Sequence, residues 1–500
     1  MSTVTARRSA RPNVVLILAD DMGWGDLGCY GATAIPTPRM DAMARDGVRF
    51  DDAHSSSAVC TPSRYSIVTG RYAWRSPLKQ HVLHSHAPAI IEPARPTVAS
   101  ELRERGYSTG VFGKWHLGLD WTRKDGTRVT AFGADADDDI LDKPDQYPAD
   151  EIDYTRPFAG GPCDLGFDRY FGIAGSLNMP PSAFLSQDRV VGVPDRPRDV
   201  YESGMNPGLK TEGWRDDEAD VRFTQEAVSW LTEQADADQP FFLFLSTAAP
   251  HRPCVPPERF QGMSRAGRRG DAVCLVDWMV GQIDDALAET GVADDTVVII
   301  TSDNGAPMVF PDDGDVVDHR PNGPYRGQKG DIWDGGHREP LIVRWPAGLA
   351  AGQVREDLVC LTDLYPTILA AAGLEPTPGA AEDAVDILSR LDSPEPTPRG
   401  VPVVHHSMRG AFGLRMDRYK VNFCTESGGG FSAMVRDDGT FYGADAPVGR
   451  IYDLETDPAE TTDLWDSRPD LAAAAHAALR DLTAGADTGF AHDVVPEPTG

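Results

Sequence analysis

Asn13-Val14-Val15-Leu16-Ile17-Leu18-Ala19-Asp20-Asp21 is the stretch whose reading decides the fold. A strand with one wet face alternates apolar and polar residues, whereas this run is apolar without interruption. It reads as a strand buried on both faces, as in a parallel sheet. It ends in two aspartates, and open α/β sheets place their sites at the carboxyl ends of such strands. Thr296-Val297-Val298-Ile299-Ile300-Thr301 repeats the design and leads into Asp303-Asn304-Gly305. Working outward, the pattern predicts helices over 38–47, 63–70, 97–105, 219–234, 271–290 and 362–372. Strands are expected over 107–115, 240–246 and 340–345. This alternation predicts an α/β domain whose large sheet is mostly parallel and flanked by helices.

Between about 374 and 400 proline, glutamate and alanine dominate. Beyond that, 413–424 and 441–454 read as antiparallel strands, and 471–482 as a closing helix. We expect a catalytic α/β domain over 11–375 and a small C-terminal α+β subdomain over 400–490. The Asp- and Gly-rich stretch 120–160 is expected to be a surface excursion.

The two strand ends offer Asp20, Asp21, Asp303 and Asn304, two oxygen-rich pairs that would converge on one hard cation. Oxygen-only ligation favours calcium or magnesium over zinc. The competing reading is that both pairs cap loops, since Asp, Asn and Gly are turn residues.

The 500 residues carry a net charge of −30, which repels nucleic acid. The same charge repels anionic esters, so an anion site must be locally positive. With 41% hydrophobic residues and mean hydropathy −0.35, no apolar run approaches the roughly 20 residues of a membrane-spanning helix. Seven cysteines without Cys-x-x-Cys spacing form neither a disulfide framework nor a zinc motif. The first apolar run is shorter than a signal-peptide core of roughly 7–15 residues. The chain is therefore expected to be cytoplasmic, or to have been trimmed of a leader.

Cys60-Thr61-Pro62-Ser63-Arg64 stands just before Tyr65-Ser66-Ile67-Val68-Thr69-Gly70. Pro62 is tolerated near a helix start, and an anion beside Cys60 would meet free backbone N–H groups there. Arg64, one turn on, can add charge-assisted hydrogen bonds. Lys114 and His116, two apart at a strand end, face one side. His251 follows a buried strand in Ala249-Pro250-His251-Arg252-Pro253, and Lys329 follows Arg326-Gly327-Gln328. Taken singly, Cys60 would be a small core residue, Lys114 and His116 solvated surface, and His251 a structural histidine.

Together these motifs resemble the type I sulfatases, in particular arylsulfatase A and its galactosamine-6-sulfatase relatives. The likeness extends through Asp26-Leu27-Gly28-Cys29-Tyr30-Gly31, Gly113-Lys114-Trp115-His116-Leu117-Gly118, Thr301-Ser302-Asp303-Asn304-Gly305 and Gly327-Gln328-Lys329-Gly330. It continues through Asp334-Gly335-Gly336-His337-Arg338-Glu339-Pro340 to Ile451-Tyr452-Asp453-Leu454, running from about residue 11 to about 465. Val68 departs from the family's usual leucine.

The resemblance implies an alkaline-phosphatase-like fold and a sulfuric ester hydrolase. It implies that a maturation enzyme oxidises Cys60 to formylglycine. Asp20, Asp21, Asp303, Asn304 and the modified Cys60 would then surround one calcium ion. The hydrated aldehyde would attack sulfur, helped by Asp303, while Arg64, Lys114 and Lys329 offset charge on the sulfate oxygens. His251, with Lys329, would protonate the leaving alcohol, and His116 would help restore the aldehyde. Ser176 would lie near the sulfate. His405-His406, Trp74-Arg75 and His319-Arg320 fall where the family builds its sugar rim, the favoured alternative for each being ordinary surface or packing, and His81, His84 and His86 are read as loop or rim residues. Glu339 is read as structural. The implied substrate is a sulfated sugar or small oligosaccharide. Alternatives are a phosphonate or phosphate ester hydrolase, or a silent glycan binder if Cys60 is never converted.

Overall fold

Asn13–Asp20 (β1) lies near the middle of an eleven-stranded sheet. The computed structural model describes residues 11–133, 149–202, 204–308, 319–393, 395–424, 426–432 and 449–484. Six further strands carry the sheet: Val48–His54 (β2), Ser108–Lys114 (β3), Arg169–Ile173 (β4), Phe241–Pro250 (β5), Thr296–Ser302 (β6) and Arg338–Arg344 (β7). They run in the order β2-β7-β6-β1-β5-β3-β4, with short strands at both edges. From β6 through β4 every neighbouring pair is parallel. β7 is antiparallel to both β6 and β2.

The uninterrupted apolar reading of β1 is realised side chain by side chain. Val14, Leu16 and Leu18 enter one core, and Val15, Ile17 and Ala19 the other. Each fully buried valine, leucine or isoleucine among them contributes roughly 1.5–3 kcal/mol. The first face is covered by Cys60–Thr69 (α2), Val98–Glu104 (α3) and Leu364–Ala371 (α6). The opposite face is covered by Pro38–Arg45 (α1), Ala219–Ala235 (α4) and Gly267–Glu289 (α5).

Several boundaries differ from expectation. α2 begins at Cys60 itself, so the cysteine is the first helical residue and does not precede the helix. β5 runs on to Pro250, placing its end beside His251. β2 was not expected, because Arg49, Asp51 and Asp52 interrupt its apolar pattern; these three are partly exposed while the rest of the strand is buried.

Val403–His406 (β8), Phe412–Met416 (β9), Tyr419–Asn422 (β10) and Arg450–Asp453 (β11) form a separate antiparallel sheet. Pro469–Thr483 packs on it through Ala475 and Leu479. Residues 441–448 of the expected last strand, and 134–148 of the expected excursion, lie outside the described residues. Among the described residues no helix is long and apolar enough to cross a membrane.

A buried polar network joins the two sheets. Lys420 on β10 donates from Nζ to Asp334 Oδ1 (2.8 Å) and pairs with Glu460 Oε1 at 3.0 Å. It also lies 3.1 Å from His337 Nε2. Removing the cation leaves Asp334 and Glu460 sealed without it, a loss of about 3–5 kcal/mol for a broken buried pair. Lys420→Met should lower stability in urea unfolding by that amount. Arg222→Ala, which breaks an exposed pair with Glu226, should change it by less than about 1 kcal/mol.

Candidate active site

Four adjacent parallel strands, β6, β1, β5 and β3, end on the same edge of the sheet, and each delivers a charged or polar group. β1 ends in Asp20 and leads into Asp21, β6 leads into Asp303 and Asn304, β3 ends in Lys114 and leads to His116, and β5 carries Ser246 and leads into His251. α2 brings Cys60 and Arg64 to the same edge. All ten residues of α2 are buried, and no side chain caps its first turn. Its amino end therefore presents unsatisfied N–H groups beside Cys60.

The contacts interlock. Lys114 Nζ donates to Asp20 Oδ2 at 2.6 Å, and Lys329 Nζ donates to Asp21 Oδ1 at 2.5 Å. Lys329 Nζ also lies 3.4 Å from Cys60 Sγ. Arg64 places Nε and Nη2 on Asp303 Oδ2 (2.8 and 2.7 Å) and Nη1 on Ser246 Oγ (2.5 Å). Asn304 Nδ2 donates to Asp21 Oδ1 at 2.7 Å, and the Asp21 N–H donates to Asp303 Oδ1 at 3.2 Å. His251 Nε2 stands 3.8 Å from Asp21 Oδ2.

Two of these residues hold strained backbone: Asp21 has φ 67° and His116 φ 61°. Non-glycine residues adopt this region at a cost of order 1–3 kcal/mol, and such outliers cluster at functional sites. Gly113 has φ 108°, and a Cβ there would lie 1.8 Å from the Ser246 carbonyl oxygen. Only glycine lets β3 pass β5 closely enough to deliver Lys114 beside Asp20.

Burial shifts several of the ionisable groups here. It pushes the Asp20 carboxyl up, but Lys114, His251, Arg64 and Lys329 outweigh it and hold Asp20 well below the usual carboxylate range. Burial pushes Asp303 up to about 6, with Arg64 opposing. It pushes the Cys60 thiol up to about 12 despite Lys114 and Lys329. Burial, then Lys329, lowers His251 to about 4. Burial, then Lys114 and Arg64, holds His116 well below the histidine range. Both histidines are therefore neutral at pH 7. His116 Nε2 faces the Leu83 carbonyl at 2.7 Å, so it carries the proton and leaves the unpartnered Nδ1 as an acceptor. His251 Nδ1 faces the Arg252 carbonyl at 2.7 Å, leaving Nε2 toward Asp21.

The donor set suits a hard cation. Asp20 Oδ1 and Asn304 Oδ1 are buried without a hydrogen-bond partner among the described residues, and an unpaired buried acceptor costs about 1–3 kcal/mol. Ligand atoms of Asp20, Asp21, Cys60 and His251 lie within 4.8 Å of one another. The carboxylate and amide oxygens match calcium or magnesium preference.

The sulfatase family model matches residues 12–374. The chain belongs to the sulfatase family. It is thus a sulfuric ester hydrolase on the alkaline-phosphatase-like fold. It is 30% identical to an N-acetylgalactosamine-6-O-sulfatase of Bacteroides thetaiotaomicron over 93% of this chain and 92% of the relative. It is 32% identical to human arylsulfatase A over 91% and 83%. A solved Bacteroides thetaiotaomicron structure, from work on the metabolism of multiple glycosaminoglycans, superposes with TM-score 0.76 at 28% identity. That likeness covers 95% of this chain and 99% of the other.

Other expected residues fall elsewhere in this sulfatase. His405 is not on a substrate rim. It is fully buried, stacks on His337 with centroids 3.9 Å apart, and faces the Ser55 carbonyl through Nδ1 at 2.9 Å. The reason is that β8 runs alongside the segment that follows β2, which encloses His54, His337 and His405 together. His406 and Trp74 are also buried. Ser176 is buried with Oγ unpartnered, and no hydrogen bond ties it to the cluster. His319 Nε2 lies 2.9 Å from Asp26 Oδ1, and His86 Nε2 lies 2.8 Å from Tyr154 Oη.

Sequence reasoning missed Ser246, which donates to the Lys114 carbonyl at 2.6 Å while accepting from Arg64. It also missed Arg269, which donates to the Asp21 carbonyl at 2.8 Å and pairs with Asp26 at 2.6 Å. Neither carries a local signal, since their partners lie more than a hundred residues away.

The raised thiol predicts an inert cysteine. In folded protein bearing unconverted Cys60, iodoacetamide at about pH 8 should leave that residue unlabelled. After urea unfolding it should label fully, as read by peptide mass mapping.

Proposed function

We propose that this sulfatase removes sulfate from a carbohydrate ester, using formylglycine made from Cys60 and one calcium ion held by Asp20, Asp21, Asp303 and Asn304. The observation that carries the reading is the position of Cys60. It sits at the amino end of a fully buried helix, 3.4 Å from Lys329 Nζ, beside three carboxylates and three cations. A thiol pushed up to about 12 is almost wholly protonated at neutral pH, so an unconverted Cys60 offers little thiolate. The maturation enzyme that converts it belongs to this proposal. The buried, unpartnered oxygens of Asp20 and Asn304 support the cation.

When present, the aldehyde hydrate supplies an oxygen nucleophile with a second hydroxyl to expel sulfate, and calcium offsets charge on the sulfate oxygens. The chain's own residues do the rest. Lys114 and Lys329 reach the sulfate oxygens as point charges, each steadied by an aspartate. Arg64 is committed to Asp303 and Ser246, so it acts mainly by orienting that carboxylate. His116 keeps Nδ1 unprotonated and can accept a proton there. His251 must gain a proton at Nε2 to serve the leaving oxygen, and an anionic sulfate beside it raises its affinity for that proton. The preference for a sugar rests on the N-acetylgalactosamine-6-sulfatase likeness.

The test is inorganic sulfate release from sulfated mono- and disaccharides, N-acetylgalactosamine 6-sulfate first. The protein is co-expressed with a formylglycine-generating enzyme, and Cys60→Ala is run alongside. Release by the parent alone is expected. No release from any sugar by protein whose conversion is confirmed by mass would overturn the carbohydrate reading, and turnover of a phosphonate ester instead would replace it.

The proton-donor role of His251 has its own signature. His251→Gln should lower kcat on a sugar sulfate by about 10²–10⁴. On an activated aryl sulfate, whose leaving group needs no proton, the loss should be under about tenfold.

A further inference from the structure

A cavity of about 520 Å³ opens beside the end of β5, lined in part by Arg198, Tyr201, Trp214, Cys254 and Arg268. Two of its lining residues are neighbours in sequence of residues at the catalytic cluster. Cys254 follows His251 by three residues, so the two lie within about 11 Å along the chain. Arg268 precedes Arg269, whose Nη2 holds the Asp21 carbonyl. Buried Glu202 bridges the two walls, 3.3 Å from Arg252 Nε and 4.0 Å from Arg268 Nη1.

Arg198 is the unusual member. Its side chain is 2% exposed, and Nη2 donates to the Leu177 carbonyl at 2.9 Å. Nε and Nη1 are buried with no hydrogen-bond partner among the described residues. The nearest carboxylate, Asp216 Oδ2, is 3.8 Å away and is already engaged by the Tyr201 hydroxyl at 2.7 Å. The Trp214 indole N–H donates to the other Asp216 oxygen at 2.7 Å. One aspartate thus pins two aromatic side chains at the wall of the cavity while leaving two arginine donor atoms unassigned. The other acids there are occupied: Asp199 by Lys210, Asp217 by Arg215, and Asp271 by the Gly262 and Ser264 N–H groups. Aromatic faces beside a buried arginine suit a ring that stacks through a C–H face while one anionic substituent is held.

We propose that this cavity seats the sugar next to the sulfated one in an oligosaccharide, and that Arg198 binds an oxyanion on that neighbouring sugar. The oxyanion is a carboxylate or a second sulfate. This rests on the carbohydrate reading above and extends it from a sulfated sugar to an acidic oligosaccharide. Because Arg198 touches none of the catalytic groups, it should act on binding and not on the chemical step.

The experiment compares N-acetylgalactosamine 6-sulfate with three disaccharides that differ only in the neighbouring sugar: uronate-bearing, sulfate-bearing and neutral. For the parent, KM on an anionic disaccharide should be at least about tenfold below that on the monosaccharide or the neutral disaccharide, the size of one hydrogen bond to a charged group. Arg198→Gln should erase that advantage with kcat and the monosaccharide KM unchanged. Which anionic disaccharide gains more tells carboxylate from sulfate. Equal KM values in the parent, or an equal loss on all four substrates in the variant, would overturn the proposal. Calorimetric titration of the same compounds into Cys60→Ala protein reads binding without turnover. Selective binding of an anionic disaccharide there sustains the site even if no sulfate is released, in which case the catalytic reading alone fails. Trp214→Leu, titrated likewise, should weaken every disaccharide and leave the monosaccharide unaffected, which covers the event that Arg198→Gln does not fold.

Discussion

Three buried carboxylates, Asp20, Asp21 and Asp303, face three buried cations, Lys114, Lys329 and Arg64, and the rest of the site depends on that balance. Each charge alone would cost several kcal/mol to bury. Paired, they offset that cost, and the cations hold Asp20 far below the ordinary carboxylate range. A chain with net charge −30 thus keeps a locally balanced pocket where an anion can enter. A divalent cation and a monoanionic sulfate ester would leave one positive charge in excess. That excess is placed to meet the negative charge that builds up as an ester oxygen leaves.

Topology explains how these groups meet. β6, β1, β5 and β3 are neighbours and parallel, so their carboxyl ends share one edge, and residues nearly three hundred positions apart come into hydrogen-bond range. The turns there are under strain at Asp21 and His116. They are held by neighbouring bonds: the Asp21 N–H to Asp303, the Asp21 carbonyl to Arg269, and the His116 N–H to the Ala174 carbonyl. α2 completes the edge by burying its amino end against the same cluster.

How much of this was legible follows from where the information sits. β1 and β6 were readable because both faces of each are buried and nothing breaks the apolar run. The aspartates, Cys60, Arg64, Lys114, His116, His251 and Lys329 were readable from local motifs, and the structure gathers them. β2 was hidden because partly exposed charges interrupt it. Ser246 and Arg269 act through partners remote in sequence, and neither has a neighbour that betrays its role. His405 was misplaced because its surroundings come from three segments, β2, β7 and β8. Only tertiary packing shows that it stacks between sheets.

The central claim is that the balanced cluster is built to receive a cation. The most direct measurement is calorimetric titration of calcium into chelator-treated protein, parent and Asp303→Asn side by side. The account predicts one ion bound per parent chain, with binding lost or weakened by at least about tenfold in the variant, the loss of a charged oxygen ligand. No binding by the parent, or identical isotherms for the two proteins, would contradict it.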